Sequence, residues 1–338
     1  MSDSVCAVVV TYNRKNLLIE CLEALRKQTR PIQGIYLIDN ASTDGTPELL
    51  LEKGYISKLP PQNLKEPWEK GFAIQNLTNG EEIKLHYVRM HKNTGGAGGF
   101  YEGVKRGYER GYDWLWLMDD DAEPKEDALE KLLLNEKKDV LCLCPLIVNK
   151  KSNKVQNYHH KKFNFYMNDI PLSNETNIEY YQNNIFEIEA NAFVGPLIKR
   201  KAIDFVGFPN PDLFIWGDDT EYTYRIFRKG RIILVGSSII FHKDSPIVEG
   251  NKVSRNQMWK IYYYYRNKIL FIKQYSRYNF LAYLYFFYKA IRQSVSFLIK
   301  YKMTDKFSLP IKGIMDGLTN SIYNIYQRSP ENEANIDR

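Results

Sequence analysis

A doubly wound α/β fold built on a mainly parallel sheet is what this sequence predicts, on three observations. Short apolar, β-branched runs alternate with stretches of helical spacing from residue 5 to residue 145. The first run carries almost no polar residue, the pattern of a strand covered on both faces. Polar or acidic clusters follow three of the runs: Thr11-Tyr-Asn-Arg14, Asp39-Asn40 and Asp119-Asp-Asp121. Ligands of open α/β sheets sit outside the carboxyl ends of the strands, so these clusters mark the expected site.

Taken in order, Val5–Val10 is the first strand, and Asn16 to Gln28 a helix with Leu17, Leu18, Cys21, Leu22 and Leu25 on one face. Ile35–Ile38 is a second strand. Thr46-Pro47-Glu48 predicts a helix start with Thr46 as cap, proline in the first turn and an early acid. Leu85–Arg89 is expected as the third strand, Gly98 to Gly111 as a helix, Trp114–Met118 as the fourth strand and Pro124 to Lys137 as a further helix. Residues 150–184, rich in Asn and Tyr, show no helical period and predict a loop or hairpin insertion. His159 and His160 within it are expected in solvent, and His86 and His91 show no partner pattern. Strand character returns over Glu187–Arg200 and Ile232–His242, with helices near Lys201–Val206 and Asp218–Lys229.

The 338 residues are enough for a large α/β domain, placed at 1–250 with the insertion at about 150–185, plus a helical appendage at 251–330. The net charge of +7 is concentrated: residues 251–304 hold eleven Lys and Arg and no Asp or Glu. Four cysteines form no spaced framework, and Cys142 and Cys144 alternate inside an apolar run, so buried thiols in a reducing compartment are expected. The strand pattern begins at residue 5, which leaves no room for a signal peptide, and no run of about 18 apolar residues occurs. A cytoplasmic protein is therefore expected.

Three adjacent carboxylates repel one another and raise their own pKa values unless a cation is close. Mg2+ or Mn2+ takes oxygen ligands and completes its shell with substrate phosphates. Asp119 and Asp121, alternate residues of an extended segment, can face one ion. A solvated acidic turn capping the next helix is the alternative. His242, ending an apolar strand, has a similar alternative as a satisfied core or edge residue.

The order Val8-Val-Val-Thr-Tyr-Asn-Arg14, Ile38-Asp-Asn-Ala-Ser-Thr-Asp-Gly-Thr46 and Asp119-Asp-Asp121 resembles glycosyltransferase family 2, which has the GT-A fold. Asn93-Thr-Gly-Gly-Ala-Gly-Gly-Phe100, Phe214-Ile-Trp-Gly-Asp-Asp-Thr-Glu-Tyr222 and His242 are similar to the galactofuranosyltransferases and neighbouring rhamnosyltransferases. The resemblance spans about residues 5–245. It implies an inverting hexosyltransferase that uses a divalent cation, Mn2+ or Mg2+. Thr11, Tyr12, Asn13, Arg14, Asp39, Asn93, Gly95, Gly96, Asp119 and Asp120 would bind the sugar nucleotide, with Asp39 accepting from the base imide. Asp119, Asp121 and His242 would hold the metal. Asp219 would be the general base, with Asp218 orienting substrate or taking the base role itself. Trp216 would wall the acceptor side, although the family pattern sets its tryptophan directly before the acid pair and Gly217 intervenes here. The implied reaction moves galactofuranose from UDP-galactofuranose onto a surface polysaccharide or lipid-linked glycan. A rhamnosyltransferase using dTDP-rhamnose is the alternative within the family, and a nucleotidyltransferase or a non-catalytic carbohydrate-binding protein the alternatives outside it.

Tyr and Phe crowd the basic segment between Trp259 and Tyr301. Tyr sits well at a membrane–water boundary, and Lys and Arg favour an anionic leaflet. Lys289 and Arg292 interrupt the apolar stretch 280–299, so it should lie on a surface rather than cross it. Peripheral contact through 255–304 with the inner face of the cell membrane is expected. Packing on the main domain or a homo-oligomer contact is the alternative, and nucleic acid is not an expected partner.

Overall fold

The run Val5–Thr11 forms β1, buried throughout, in a computed structural model that describes residues 3–243, 248–249, 252–253, 257–302 and 304–320. The chain continues as α1 (Lys15–Arg26), β2 (Gly34–Asp39), α2 (Thr46–Glu52), β3 (Trp68–Gln75), β4 (Glu82–Arg89), α3 (Gly95–Glu109), β5 (Trp114–Asp119), β6 (Ala122–Pro124), α4 (Ala128–Leu133) and β7 (Val140–Asn149). Next come β8 (His160–Phe163), β9 (Asp169–Pro171), α5 (Ile178–Gln182), β10 (Ile185–Ile188), β11 (Ala190–Asn191), β12 (Val194–Lys199), α6 (Arg200–Val206), α7 (Asp218–Phe227) and β13 (Arg231–His242). The short strands β14 (Val248–Glu249) and β15 (Lys252–Val253) precede α8 (Lys260–Tyr275), α9 (Asn279–Ile299) and α10 (Leu309–Thr319). The predicted boundary at residue 250, and residues 251, 254–256, 303 and 321–330 of the predicted appendage, lie outside the described residues.

Two units make up the chain. The first holds residues up to 162, then 170–211 and 219–244. The second holds 163–169, 212–218 and the chain beyond 245. The main sheet belongs to the first, in the order β10-β13-β7-β12-β5-β1-β2-β4-β3, with β6 paired to β13. β1, β2, β4, β5, β7 and β13 run one way, and β3, β6, β10 and β12 the other. The sheet is thus mixed but mostly parallel. Val5, Ala7 and Val9 face one core layer and Cys6, Val8 and Val10 the other, the two-sided burial that the uninterrupted apolar run predicts. All four cysteines are free and buried. Cys142 and Cys144 do share a face, their sulfurs 3.7 Å apart.

Gly99, Gly103 and Gly107 form a stripe along α3 that lets the helix lie close on β1 and β5. A Cβ on Gly103 would stand 2.2 Å from Val8 Cγ1 and one on Gly99 2.6 Å from Val10 Cγ1. Gly103→Ala is expected to lower stability by about 1–3 kcal/mol through overpacking, read as a fall in Tm with donor binding retained after refolding. An unchanged Tm would mean that the helix rides further from the sheet.

Several local expectations need correction. A strand is added before the expected third one: β3 pairs antiparallel with β4 from Trp68↔Arg89 to Gln75↔Glu82. As an edge strand it buries only Ile74, so its sequence carries no long apolar run. The cap of α2 is Gly45, at φ 84°, rather than Thr46; the Thr46 hydroxyl donates instead to Asp44 Oδ1 at 2.6 Å. Pro124 closes β6 rather than opening a helix, because β6 pairs with the end of β13, and α4 starts at Ala128. The insertion does hold the expected hairpin, β8 beside β9, to which α5 is added and β11 pairs on the other side of β8. His159 and His160 are buried, not solvated. His160 Nδ1 donates to Asn191 Oδ1 at 2.7 Å while Nε2 accepts from Ile147 N–H at 3.4 Å. Burial holds its imidazole down at about 4, so it stays neutral. His86 also has partners: it stacks on Tyr36 at 4.6 Å and lies 3.3 Å from Glu69.

Candidate active site

Parallel pairing sets three polar strand ends along one edge. Thr11 is opposite Asp39, and Val10 is opposite Asp119. The chain turning out of β5 then brings Asp120 beneath Thr11, whose hydroxyl donates to Asp120 Oδ2 at 2.7 Å. The main chain of Tyr12 also bonds Asp120. Arg14 Nη1 lies 2.5 Å from Asp121 Oδ2 and 3.4 Å from Asp120 Oδ1. Burial pushes the Asp120 carboxyl up to about 7 even with Arg14 beside it. Burial works against the charge of Asp121 too, but there His242 and Arg14 outweigh it and hold the carboxyl below the usual range. Two adjacent acids thus have opposite tendencies.

His242 arrives through the antiparallel β6–β13 pairing, which sets it opposite Ala122, next to Asp121. Its Nδ1 donates to Gln156 Oε1 at 2.9 Å, and the His159 ring packs edge-on against it with centroids 5.1 Å apart. Its Nε2 lies 3.2 Å from Asp121 Oδ1, a buried oxygen with no hydrogen bond of good geometry. With Nδ1 committed to Gln156, an Nε2 without a proton would turn its lone pair toward a carboxylate lone pair. Two such atoms at this distance need a cation between them, either a proton on Nε2 or a metal ion. Among the described residues no group of three His, Cys, Asp or Glu side chains is gathered as a metal site. Asp119, the third predicted ligand, stands half-buried at the strand end.

The second cluster links β2 to α3. Asp39 is wholly buried; Oδ1 accepts from Ser42 N–H at 2.8 Å, and Oδ2 from Tyr87 at 2.7 Å and Arg89 at 2.5 Å. Asn40, which sequence reasoning left without a role, donates to Asn93 Oδ1 and Gly95 O and accepts from Thr94. Gly95 takes φ 73° as α3 begins, and Gly96 follows half-buried. Asn13 joins the two clusters, accepting from Thr43 N–H at 2.6 Å and donating its own N–H to Ser42 Oγ.

The remaining predicted residues lie around the start of α7, where the division between the units falls between Asp218 and Asp219. In the first unit, Asp219 Oδ1 accepts from the Thr220 N–H and hydroxyl, and Oδ2 takes no hydrogen bond from any described residue. In the second unit, the loop before Asp218 is strained: Phe214 and Trp216 have φ of 64° and 60°, and Gly217 has 98°. Asn267 Nδ2 points at three of its carbonyls, those of Leu213, Ile215 and Trp216, at 2.9, 3.0 and 2.7 Å. Arg266 donates to Asp212 O and Leu213 O. Neither residue was singled out from sequence, although both sit one turn after Tyr262 and Tyr263 on the buried face of α8. A polar pair on an apolar helix face was the available signal.

The sequence profile described as Glycosyl transferase family 2 matches residues 6–64 and 70–204 of this chain. The chain belongs to that family. The family match thus spans the strand ends up to Asp121 and stops before Asp218, Asp219 and His242. Among relatives, Galactofuranosyltransferase GlfT1 of Mycolicibacterium smegmatis (strain ATCC 700084 / mc(2)155) is 26% identical over 231 residues, covering 68% of this chain and 67% of that protein. Among solved structures, GalNAc-T7 with UDP, GalNAc and Mn2+ aligns at a TM-score of 0.57 and 16% identity, over 97% of this chain and 58% of that one. Mannosyltransferase PcManGT from Pyrobaculum calidifontis, in complex with GDP-Man and Mn2+, aligns at 0.52 and 14% identity, over 94% and 87%. The fold of this family 2 glycosyltransferase is therefore of the GT-A type, with C-terminal helices added.

Proposed function

We propose that the chain is a metal-dependent, inverting enzyme that moves galactofuranose from UDP-galactofuranose to a glycan or lipid-linked glycan acceptor at the inner face of the cell membrane. The observation that carries the metal reading is the pair Asp121 Oδ1 and His242 Nε2, facing one another at 3.2 Å. Two ligand atoms each about 2.1 Å from an octahedral cation stand about 3.0 Å apart, so the pair fits Mn2+ or Mg2+. Such ions need only one or two protein carboxylates when substrate phosphates fill the shell, and Asp119, half-buried at the end of β5, would be the further acid on the phosphate side. The donor reading is supported by the names of the curated relatives.

A bound divalent cation would supply fixed positive charge beside the departing diphosphate. Arg14, already on Asp120 and Asp121, adds charge that can turn to the phosphates. Thr11, Tyr12 and Asn13 shape the nucleotide rim, and Asn93, Gly95 and Gly96 line the donor side. Among the described residues Asp39 Oδ1 has one donor and so retains capacity for a base imide N–H; because it is wholly covered, a base reaches it only when the covering groups move. Asp219 takes the acceptor proton on Oδ2, Asp218 orients substrate, and Trp216 walls the acceptor. One displacement inverts the anomeric centre, with no covalent enzyme nucleophile.

Calorimetry across UDP-galactofuranose, dTDP-rhamnose and UDP, with and without Mn2+, tests the reading. Cation-assisted binding of the uridine ligands is expected. Binding of no nucleoside diphosphate in either condition would overturn it. Gln156→Leu removes the acceptor that fixes the His242 tautomer and is expected to weaken Mn2+ binding about 10–100-fold, read by the Mn2+ electron paramagnetic resonance signal without any substrate. Unaltered affinity would take Gln156 out of this role.

A further inference from the structure

Helix α9 has two apolar faces. One carries Ala282, Phe286, Ala290, Ser294 and Phe297 and is buried. The other carries Phe280, Leu284, Phe287, Ile291, Val295 and Leu298, exposed by 72, 52, 42, 43, 46 and 40%. At about 100° per residue these six fall within an arc of about 80°, centred about 120° around the helix from the buried set. A helix on the surface of a water-soluble protein turns its polar side outward, and here no polar residue interrupts the outward stripe. A contiguous apolar strip of this kind marks a surface that something covers.

Charge selects the occupant. Arg277 lies just before α9, Arg292 borders the stripe, and Lys300 and Lys302 follow its end, all exposed. Arg277 and Arg292 each lie 5.7 Å over a neighbouring tyrosine ring, Tyr278 and Tyr288, so their stems run along the aromatic edge while their charges stay outward. No acid occurs from 251 to 304. Two copies pairing through this stripe, parallel or antiparallel, would bring basic ends against basic ends with nothing between 251 and 304 to neutralise them. An anionic lipid headgroup layer meets both requirements, apolar depth for the stripe and negative charge for its rim. Among the described residues no helix is long and apolar enough to cross a membrane, which leaves α9 lying in the plane. We propose that the stripe Phe280–Leu298 is a lipid-docking face that inserts α9, parallel to the surface, at the headgroup boundary of an anionic bilayer.

The proposal does not depend on the donor or metal assignment, and the test separates them. The full-length chain and the variant Phe280→Ser/Leu284→Ser/Ile291→Ser are sedimented with phosphatidylcholine vesicles, with and without phosphatidylglycerol, and weighed in solution by light scattering. All three side chains are exposed, so Tm and Mn2+–UDP binding are expected to match the parent. The parent is expected to partition onto anionic vesicles, weakly onto neutral ones, and to be released at about 1 M salt, where the Debye length is about 3 Å. The variant is expected to lose at least about tenfold in partitioning. Equal sedimentation of variant and parent would overturn the proposal, as would no preference for anionic lipid. So would a parent dimer that the variant dissociates while vesicle binding persists.

Discussion

Asp219→Asn is expected to lower transfer by about 10²–10⁴-fold while leaving the fold and donor affinity unchanged. The reason is geometric. Oδ1 is the oxygen engaged by Thr220, and an asparagine keeps that acceptor in place. What it loses is the proton-accepting character of Oδ2, the oxygen with no hydrogen bond from a described residue. Asp121→Ala forms the companion measurement, because it deletes a proposed metal ligand rather than a base. It should cut transfer about a thousandfold and abolish the Mn2+ dependence of nucleotide binding, which Asp219→Asn should not touch. Calorimetry with Mn2+ and UDP, alongside single-turnover transfer, separates the two. Near-parental transfer by Asp219→Asn would remove it as the base and direct attention to Asp218. Mn2+-assisted binding that persists in Asp121→Ala would remove the metal assignment.

Asn267→Ala carries the second large effect, and acts through the backbone. Its amide is the shared donor for three carbonyls of a loop in which two bulky residues have positive φ. Such conformations cost about 1–3 kcal/mol each and persist only when surroundings enforce them. Removing the amide also takes a donor from the part-buried carbonyls of Ile215 and Trp216, at up to about 1–3 kcal/mol, while Leu213 O keeps Arg266. The loop is therefore expected to relax, with a stability loss of about 2–4 kcal/mol and faster hydrogen exchange at the Ile215–Gly217 amides. Acceptor KM should rise while donor affinity holds. Unchanged exchange over 215–217, with stability still lost, would make Asn267 a plain packing residue of α8.

The parallel core and the acidic edge were legible because they are properties of continuous segments. An apolar run such as Val5–Val10 states its own burial, and a polar cluster at the end of such a run states its own position. His242 was reachable too, as the last residue of an apolar strand. What escaped was set by partners distant in the chain. β3 has one neighbour and one solvent face, so Glu69 and Lys70 interrupt its pattern. His159 and His160 are polar letters in a polar segment; His160 is set into the core by the pairing of β8 with β11, and the His159 ring packs against His242. Gln156 orients His242 from 86 positions away in the chain, a relation no local spacing encodes. Asn267 lies in a segment whose charge and aromatic content drew attention to its surface, while its work is done on the inward face.

The second unit is not a tail that can be cut away. It is assembled from three stretches of polypeptide, two of them short excursions made by the chain before the last sheet strand is complete. A C-terminal truncation would orphan residues 163–169 and 212–218, the latter robbed of the amide that keeps its carbonyls company. A chimaera made from this chain therefore cannot trade the helices as a cassette. A recombinant that hopes to inherit a new surface preference must transplant both excursions with them, and its crossover points belong inside the first unit rather than at residue 250.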